Sequence, residues 1–126
     1  MKQVLIVDDS AIIRASIRKV LLLVGVAEEG IHQAENGAEA LEKIHARSFD
    51  LVLLDLNMPV MNGEEFAEQV RKLDPDSQPT IVVVSTESNR ERLNRMAELG
   101  VAGFLSKPFQ PEDLGRYLLD QVRTSA

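Results

Sequence analysis

Three short, uninterrupted apolar runs constrain the fold of this chain more than any other feature. They are Val4–Val7, Leu51–Leu54 and residues 81–84. None of them alternates apolar and polar residues, as a strand with one solvated face does. Each run is therefore predicted to be a strand covered on both faces, as in a parallel sheet between two layers of helices. Ile31–Ala34 and residues 102–105 are weaker candidates for strands of the same kind.

Segments with the apolar spacing of helices alternate with these runs. They span residues 11–24, 38–45, 63–73, 90–99 and 111–122. In the first of them, Ile13, Ile17 and Val20 recur at the interval that places side chains on one face of an α-helix. Strict alternation of strand and helix predicts an α/β fold, with a five-stranded parallel sheet, right-handed crossovers and helices on both faces.

The length of the chain is enough for one hydrophobic core. For 126 residues and 14.0 kDa, surface scaling leaves roughly 6,700 Å² exposed out of about 20,000 Å² in the unfolded chain. We therefore expect a single domain over residues 1–126, with no output domain after the fifth helix.

Composition excludes several classes of function. Fourteen basic and 20 acidic residues give a net charge of −6, which argues against a nucleic-acid-binding surface. The chain has no cysteine, so disulfides, thiolate metal sites and cysteine nucleophiles are excluded. No apolar run approaches the ~20 residues that span a bilayer. We expect a cytoplasmic protein that binds neither nucleic acid nor membranes.

Polar residues lie at the carboxyl ends of four of the predicted strands. An open parallel sheet binds its ligands at the carboxyl ends of its strands, so these side chains are expected to meet in one crevice. They are three carboxylates, two hydroxyls and an amine: Asp8, Asp9, Asp55, Ser85, Thr86 and Lys107.

Such a crevice needs a counter-charge. Two like charges ~4 Å apart repel by about 4 kcal/mol at an effective dielectric constant near 20, so three mutual contacts reach roughly 12 kcal/mol before relaxation. Lys107 alone cannot cancel this repulsion. Either one carboxylate is protonated or a divalent cation binds. Hard oxygen ligands without histidine or cysteine favour Mg²⁺ over zinc.

A carboxylate beside Mg²⁺, a hydroxyl and an ammonium is suited to phosphoryl transfer. Asp55 stands alone after what is predicted to be the central strand, and we expect it to be the nucleophile. Asp8 and Asp9 form an adjacent pair that is suited to holding the metal.

The chain resembles response-regulator receiver domains, of the single-domain chemotaxis (CheY-like) type, over essentially its whole length. The resemblance rests on four motifs in order: Val7-Asp8-Asp9, residues 55–63 with the sequence DLNMPVMNG, Ser85-Thr86, and Lys107-Pro108-Phe109. It implies a flavodoxin-like (βα)5 fold with strand order 2-1-3-4-5, and a response regulator of two-component signal transduction.

The resemblance also implies a role for each matching residue. Asp55 would accept a phosphoryl group from the phosphohistidine of a histidine kinase or a histidine phosphotransfer protein. Asp9, Asp55 and the backbone carbonyl of Asn57 would ligate Mg²⁺ directly, and Asp8 would act through water. Lys107 would pair with a phosphoryl oxygen.

A switch is implied at two further positions, Ser85 and Phe104. The Ser85 hydroxyl would move inward to hydrogen-bond the phosphoryl group, and Phe104 occupies the aromatic switch position. Their movement would reshape the face formed by the fourth helix, fifth strand and fifth helix, which a downstream protein target reads. Phe104 lacks the hydroxyl of a tyrosine, so its inward and outward states are expected to differ only in packing and exposure.

Three residues are expected to form the environment of the phosphoryl group. Thr86 stands where many relatives carry alanine or glycine, and its branched side chain is expected to narrow access. Asn57 and Glu87 lie two residues beyond the acceptor and the switch hydroxyl, and we expect them to tune the lifetime of the phosphoryl group.

Two other classes of function stay open at this point. An aspartyl-phosphate hydrolase of the haloacid-dehalogenase kind would carry a carboxylate where Asn57 stands. A receiver used only as an unphosphorylated docking domain would not need its acidic residues. We expect a monomer or weak dimer that turns over no external metabolite. Arg14 and Arg18, on the first predicted helix, are candidates for the border of the kinase docking site.

Overall fold

The computed structural model describes the backbone of residues 3–125 and the side chains of residues 3–119. The strands are β1 (Val4–Val7), β2 (Ile31–Ala34), β3 (Leu51–Leu54), β4 (Thr80–Ser85) and β5 (Gly103–Ser106). The helices are α1 (Ala11–Leu23), α2 (Gly37–Ala46), α3 (Gly63–Arg71), α4 (Arg90–Glu98) and α5 (Pro111–Ser125). Short 3-10 turns lie at Glu28–Gly30 and Pro75–Ser77.

The five strands form one sheet in the order β2-β1-β3-β4-β5, and each neighbouring pair is parallel. The register pairs Val7 with both Ala34 and Leu54, so the carboxyl ends of the three strands are level. The predicted fold class and strand order are confirmed. Strand β5 begins one residue later than expected, and α5 extends beyond residue 122.

Two apolar cores lie on opposite faces of the sheet. Alternate side chains of a strand point to opposite faces, so Leu5 and Val7 join one core while Val4 and Ile6 join the other. Side chains of α2, α3 and α4 complete the first core, and side chains of α1 and α5 complete the second. The helices therefore cover both faces, as predicted.

The two edge strands differ from the expectation that both faces of every strand are covered. In β2 only Ala34 is fully buried. In β5 intermediate and exposed residues alternate, and Phe104 and Ser106 are the exposed ones. An edge strand has a neighbour on one side only, so fewer elements remain to cover it.

Side-chain caps fix where the helices of the site begin. Ser10 accepts the N–H of Ile13 at the start of α1, at 3.3 Å. Asn62 and Glu65 form a capping box at the start of α3, in which each side chain accepts the other's backbone N–H. Asn89 caps α4. Among the residues described, no helix combines the length and apolar character needed to cross a bilayer.

Candidate functional site

Three carboxylates meet at the carboxyl edge of the sheet. Asp8 and Asp9 follow β1, and Asp55 follows the neighbouring strand β3. One oxygen from each carboxylate lies within 4.8 Å of the others. Asp8 and Asp55 are 2% and 6% exposed, whereas Asp9 is exposed to solvent. The predicted convergence of these residues is confirmed.

The Asp8 carboxylate is fixed through both oxygens. Its Oδ1 accepts the backbone N–H of Ser10 at 2.9 Å, and its Oδ2 accepts a hydrogen bond from Lys107 Nζ at 2.6 Å. Because Ser10 rather than an aspartate caps α1, the Asp8 side chain stays directed toward the other acids.

The Asp55 carboxylate has one oxygen tied to the backbone and one facing a cation. Its Oδ1 accepts the N–H of Leu56 at 2.8 Å, and its Oδ2 lies 3.5 Å from Lys107 Nζ. Burial raises the pKa of Asp55 above its ordinary value, Lys107 opposes this rise, and the charge of Asp8 adds to it. An additional cation beside Asp55 would therefore favour its ionised, nucleophilic form.

Lys107 reaches the site from the end of β5. Its backbone N–H donates to the carbonyl of Ser85 at 2.9 Å, and its peptide bond to Pro108 is cis. The ammonium contacts the carboxylates of Asp8 and Asp55. One ammonium among three carboxylates leaves a net charge of −2 when all are ionised, which is the imbalance expected from the sequence.

Ser85 ends β4 and is buried beside the acids. Its Oγ accepts the N–H of Glu87 at 3.1 Å, and a hydrogen bond from its side chain lowers the pKa of Asp55. The neighbouring Thr86 is exposed. The hydroxyl of Ser85, and not that of Thr86, is thus the one buried against the Asp55 carboxylate.

Asn57 and Glu87 are joined by a residue that sequence reasoning missed. Arg92 of α4 donates from Nη1 to Asn57 Oδ1 at 2.7 Å and to Glu87 Oε2 at 2.8 Å, and from Nε to Glu64 Oε1 at 2.6 Å. In the sequence Arg92 belongs to a run of charged residues typical of a solvated helix face, and no motif marks it.

Arg14 corrects the hypothesis that it borders a docking surface. It is 9% exposed, and its Nη1 donates to the backbone carbonyl of Asp8 at 2.6 Å while its Nε donates to Gln33 at 3.0 Å. Arg14 therefore stabilises the acidic site by binding the backbone of Asp8. Arg18, by contrast, pairs at the surface with Glu28 at 2.7 Å.

Phe104 lies outside the carboxylate cluster, on strand β5, and is 41% exposed. It pairs in register with Val83 of β4, two residues before Ser85. Phe104 is thus partly exposed at the surface of the edge strand.

The loop between β3 and α3 is held close to Asp55. The N–H of Gly63 donates to the carbonyl of Leu56 at 3.1 Å, and a Cβ at Gly63 would lie 2.6 Å from the backbone oxygen of Asp55. No side chain fits there without a backbone shift. Earlier in the loop, Val60 is 82% exposed and has φ +67°.

The donor set fits Mg²⁺. The cluster of Asp8, Asp9 and Asp55 supplies carboxylate oxygens and no histidine, and hard oxygen ligands are what Mg²⁺ prefers. Asp9 and Asn57 also line an open depression of about 520 Å³ beside the acids, which leaves space for the waters that Mg²⁺ usually keeps.

Comparisons with known proteins agree with this geometry. The family model "Response regulator receiver domain" matches residues 4–118. The chain is 36% identical to the chemotaxis protein CheY of Thermotoga maritima over 110 residues, covering 87% of this chain and 88% of that protein. It is 34% identical to CheY of Bacillus subtilis, with the same shares covered.

Solved structures give the same result. CheY4 of Vibrio cholerae superposes with a TM-score of 0.84 at 37% identity, over 95% of this chain and 98% of that one. A CheY-like receiver domain protein of Methanospirillum hungatei gives a TM-score of 0.85 at 29% identity, over 100% and 99% of the two chains. The chain therefore belongs to the response regulator receiver domain family, is of the CheY type, and is a component of two-component signalling.

Proposed function

We propose that this protein accepts a phosphoryl group on Asp55 from the phosphohistidine of a histidine kinase or a histidine phosphotransfer protein. In the transfer, a carboxylate oxygen of Asp55 forms a bond to phosphorus while the phosphorus–nitrogen bond breaks. The histidine imidazole leaves with the electron pair. The observation that carries the proposal is the pairing of Asp55 Oδ1 with the Leu56 N–H, which leaves Oδ2 directed at Lys107.

Asp8, Asp9 and Asp55 would hold Mg²⁺, together with the backbone carbonyl of Asn57. When bound, Mg²⁺ offsets the charge of the carboxylates and of the transferring phosphoryl oxygens. The buried position of Asp8, with its Oδ1 on the Ser10 N–H, keeps one carboxylate of the set in place before the ion arrives.

Lys107 and Ser85 would hold the phosphoryl group after transfer. Lys107 Nζ lies 3.5 Å from Asp55 Oδ2, so it can contact an oxygen attached there with a small movement. Ser85 Oγ accepts from the Glu87 N–H, and its own proton, which hydrogen-bonds Asp55, can be donated to a phosphoryl oxygen attached there because a hydroxyl is both donor and acceptor.

The output we propose is a change in affinity for a partner protein at the face formed by α4, β5 and α5. A hydrogen bond from the already buried Ser85 hydroxyl to the phosphoryl group would favour burial of Phe104, which is now 41% exposed, between β4 and α4. A phosphoryl group adds about two negative charges, which bias this two-state element. The protein then modifies itself, slowly loses the modification, and turns over no external metabolite.

Labelling with a small phosphodonor tests the proposal. The protein is incubated with Mg²⁺ and acetyl phosphate, and the intact mass is followed. We expect a single phosphoryl adduct that requires the divalent metal and is absent in Asp55→Asn. Asp76→Asn, a change at an exposed acid in the turn Pro75–Ser77, is the matched control and should be labelled normally.

Two results would contradict the proposal. Labelling of Asp55→Asn to the same extent would place the acceptor elsewhere. Absence of any adduct, under conditions that label another receiver, would favour a domain that docks without phosphorylation.

A further inference from the structure

Arg92 connects three elements around the entrance to the acidic site. Its guanidinium contacts Glu64 of α3, Asn57 in the loop after β3, and Glu87 in the loop after β4, at 2.6, 2.7 and 2.8 Å. The Arg92 side chain is only 27% exposed. The Arg92 side chain is therefore mostly covered by the residues that it contacts.

The network occupies the polar atoms of both neighbouring side chains. Glu87 Oε2 accepts from Arg92, and Glu87 Oε1 accepts the N–H of Asn89 at 2.9 Å. Asn57 Oδ1 accepts from Arg92, and Asn57 Nδ2 lies 3.5 Å from Glu87 Oε2. The hydrogen bond from the Asn89 N–H lowers the pKa of Glu87 most, and Asn57 and Arg92 lower it further. Glu87 is therefore ionised near neutral pH and forms an ion pair with Arg92.

These side chains stand on the solvent side of the acceptor. Arg92, Asn57, Glu64 and Asp9 line the same open depression, which also reaches Leu56, the residue after Asp55. Asn57 lines this depression, and Glu87 Oε2 lies 3.5 Å from Asn57 Nδ2, so both side chains are placed to orient a water molecule that approaches a phosphoryl group on Asp55.

We propose that Arg92 is a positioning residue that prolongs the phosphorylated state, by holding Asn57 and Glu87 in an ion-paired network where they cannot orient the attacking water. The inference rests on the proposed function of Asp55. In the hydrolysis concerned, the water oxygen forms a bond to phosphorus and the bond from phosphorus to the Asp55 oxygen breaks. Asp55 leaves as a carboxylate, and the water proton passes to the released phosphate or to a nearby acceptor.

Charge-assisted hydrogen bonds of this length are among the stronger ones in proteins, so the network should persist while Asp55 carries its phosphoryl group. Loss of the guanidinium would free Glu87 Oε2 and Asn57 Oδ1 together. We expect hydrolysis to accelerate about 3- to 10-fold, the factor that corresponds to the net worth of one hydrogen bond.

The test measures decay of the phosphoryl adduct. Wild type, Arg92→Gln and Arg92→Lys are labelled with acetyl phosphate and Mg²⁺, the donor is removed, and the adduct is followed by intact mass. Arg92→Gln should decay about 3- to 10-fold faster, and Arg92→Lys, which keeps the charge with fewer directed donors, should fall between it and wild type. Addition of Glu87→Gln to Arg92→Gln should reverse most of the acceleration.

Arg95→Gln is the matched control. Arg95 lies on the same helix and pairs with Glu68 at 3.2 Å, with both side chains more than 40% exposed, and its loss should leave the decay unchanged. If Arg92→Gln does not fold, Glu64→Gln loosens the same guanidinium and should give a smaller acceleration.

The outcomes separate the two proposals. Labelled Arg92→Gln that decays at the wild-type rate or more slowly would overturn the role of Arg92 and leave Asp55 as acceptor. An equal acceleration in Arg95→Gln would also overturn it, because a general effect on α4 would then be responsible. Absence of labelling in wild type would overturn the proposed function itself, and the inference with it.

Discussion

Lys107 Nζ lies 2.6 Å from Asp8 Oδ2 and 3.5 Å from Asp55 Oδ2. The ammonium is thus bound more closely to an acid of the proposed metal set than to the proposed acceptor. Two consequences follow. Lys107 competes with a cation for Asp8, and it must shift toward Asp55 to contact a phosphoryl oxygen there.

Lys107→Ala should therefore bind Mg²⁺ more tightly. Removal of the Lys107 ammonium takes away the positive charge that contacts Asp8 and Asp55, and one unit charge at ~6 Å from Mg²⁺ in water-like surroundings corresponds to roughly a tenfold change in affinity. Calorimetric titration with Mg²⁺ measures this, with the exposed Lys19→Ala as control. Weaker binding in Lys107→Ala would contradict the competition.

The same variant should separate labelling from response. We expect Lys107→Ala to be labelled in part by acetyl phosphate, because Asp55 and the metal set remain. The change in partner affinity should be weaker, because no cation draws the phosphoryl oxygen toward β5. An unchanged ratio of the phosphorylated to the unmodified affinity would show that Lys107 does not transmit the signal.

Asp55→Asn should be more stable than wild type at neutral pH without Mg²⁺. The pKa of Asp55 is raised from its ordinary value of 3.8, chiefly by burial. Below pH 3.8 the carboxyl is protonated in both the folded and the unfolded chain, so it has no effect on the free energy of unfolding. As the pH rises through the raised pKa, Asp55 ionises in the folded state and the free energy of unfolding falls. Removal of the charge should stabilise the fold by roughly 1–2 kcal/mol.

Urea unfolding at two pH values checks this. The difference between Asp55→Asn and wild type should be largest near pH 7 and should shrink as the pH falls toward the ordinary value of 3.8. Added Mg²⁺ should narrow it at pH 7, because an ion that binds the folded state stabilises wild type. A wild type that is more stable than the variant at pH 7 without metal would contradict the direction of the pKa shift.

Arg14→Met should destabilise the protein by about 2–3 kcal/mol, because it leaves the buried carbonyl of Asp8 without its donor. Arg18→Met, one turn along α1, removes a surface pair with Glu28, which is 75% exposed, and should cost at most about 1 kcal/mol. Chemical denaturation of both variants measures the difference. Equal losses would mean that the buried contact of Arg14 contributes no more than a surface ion pair.

The features that the sequence predicts correctly depend on local pattern. An apolar run such as Leu51–Leu54, without alternation, is typical of a strand that is buried on both faces, and β3 lies in the centre of the sheet as expected. Asp8 and Asp55 each follow a strand that the pattern predicts to be parallel, which predicts that they meet at one edge of the sheet, and the register of β1 and β3 agrees.

The features that the sequence does not predict depend on how the helices and strands pack together. Arg14 and Arg92 are both arginines within helices, and the sequence does not indicate that one is buried under Asp8 and the other bound to Asn57 and Glu87. A long cationic side chain can reach partners on several elements, so its contacts are set by how those elements pack. The partial exposure of β2 and β5 is likewise a property of their edge positions.

Val60→Asn should stabilise the protein by about 1 kcal/mol, because the left-handed region is costly for a residue with a Cβ, most of all a β-branched one, and is tolerated by asparagine. Val60 has φ +67° and is 82% exposed, so the substitution removes almost no buried apolar contacts. Val60→Ala is the matched control, since alanine keeps the Cβ penalty and should gain less. If urea denaturation finds Val60→Asn no more stable than Val60→Ala, the left-handed backbone conformation of Val60 does not destabilise the fold.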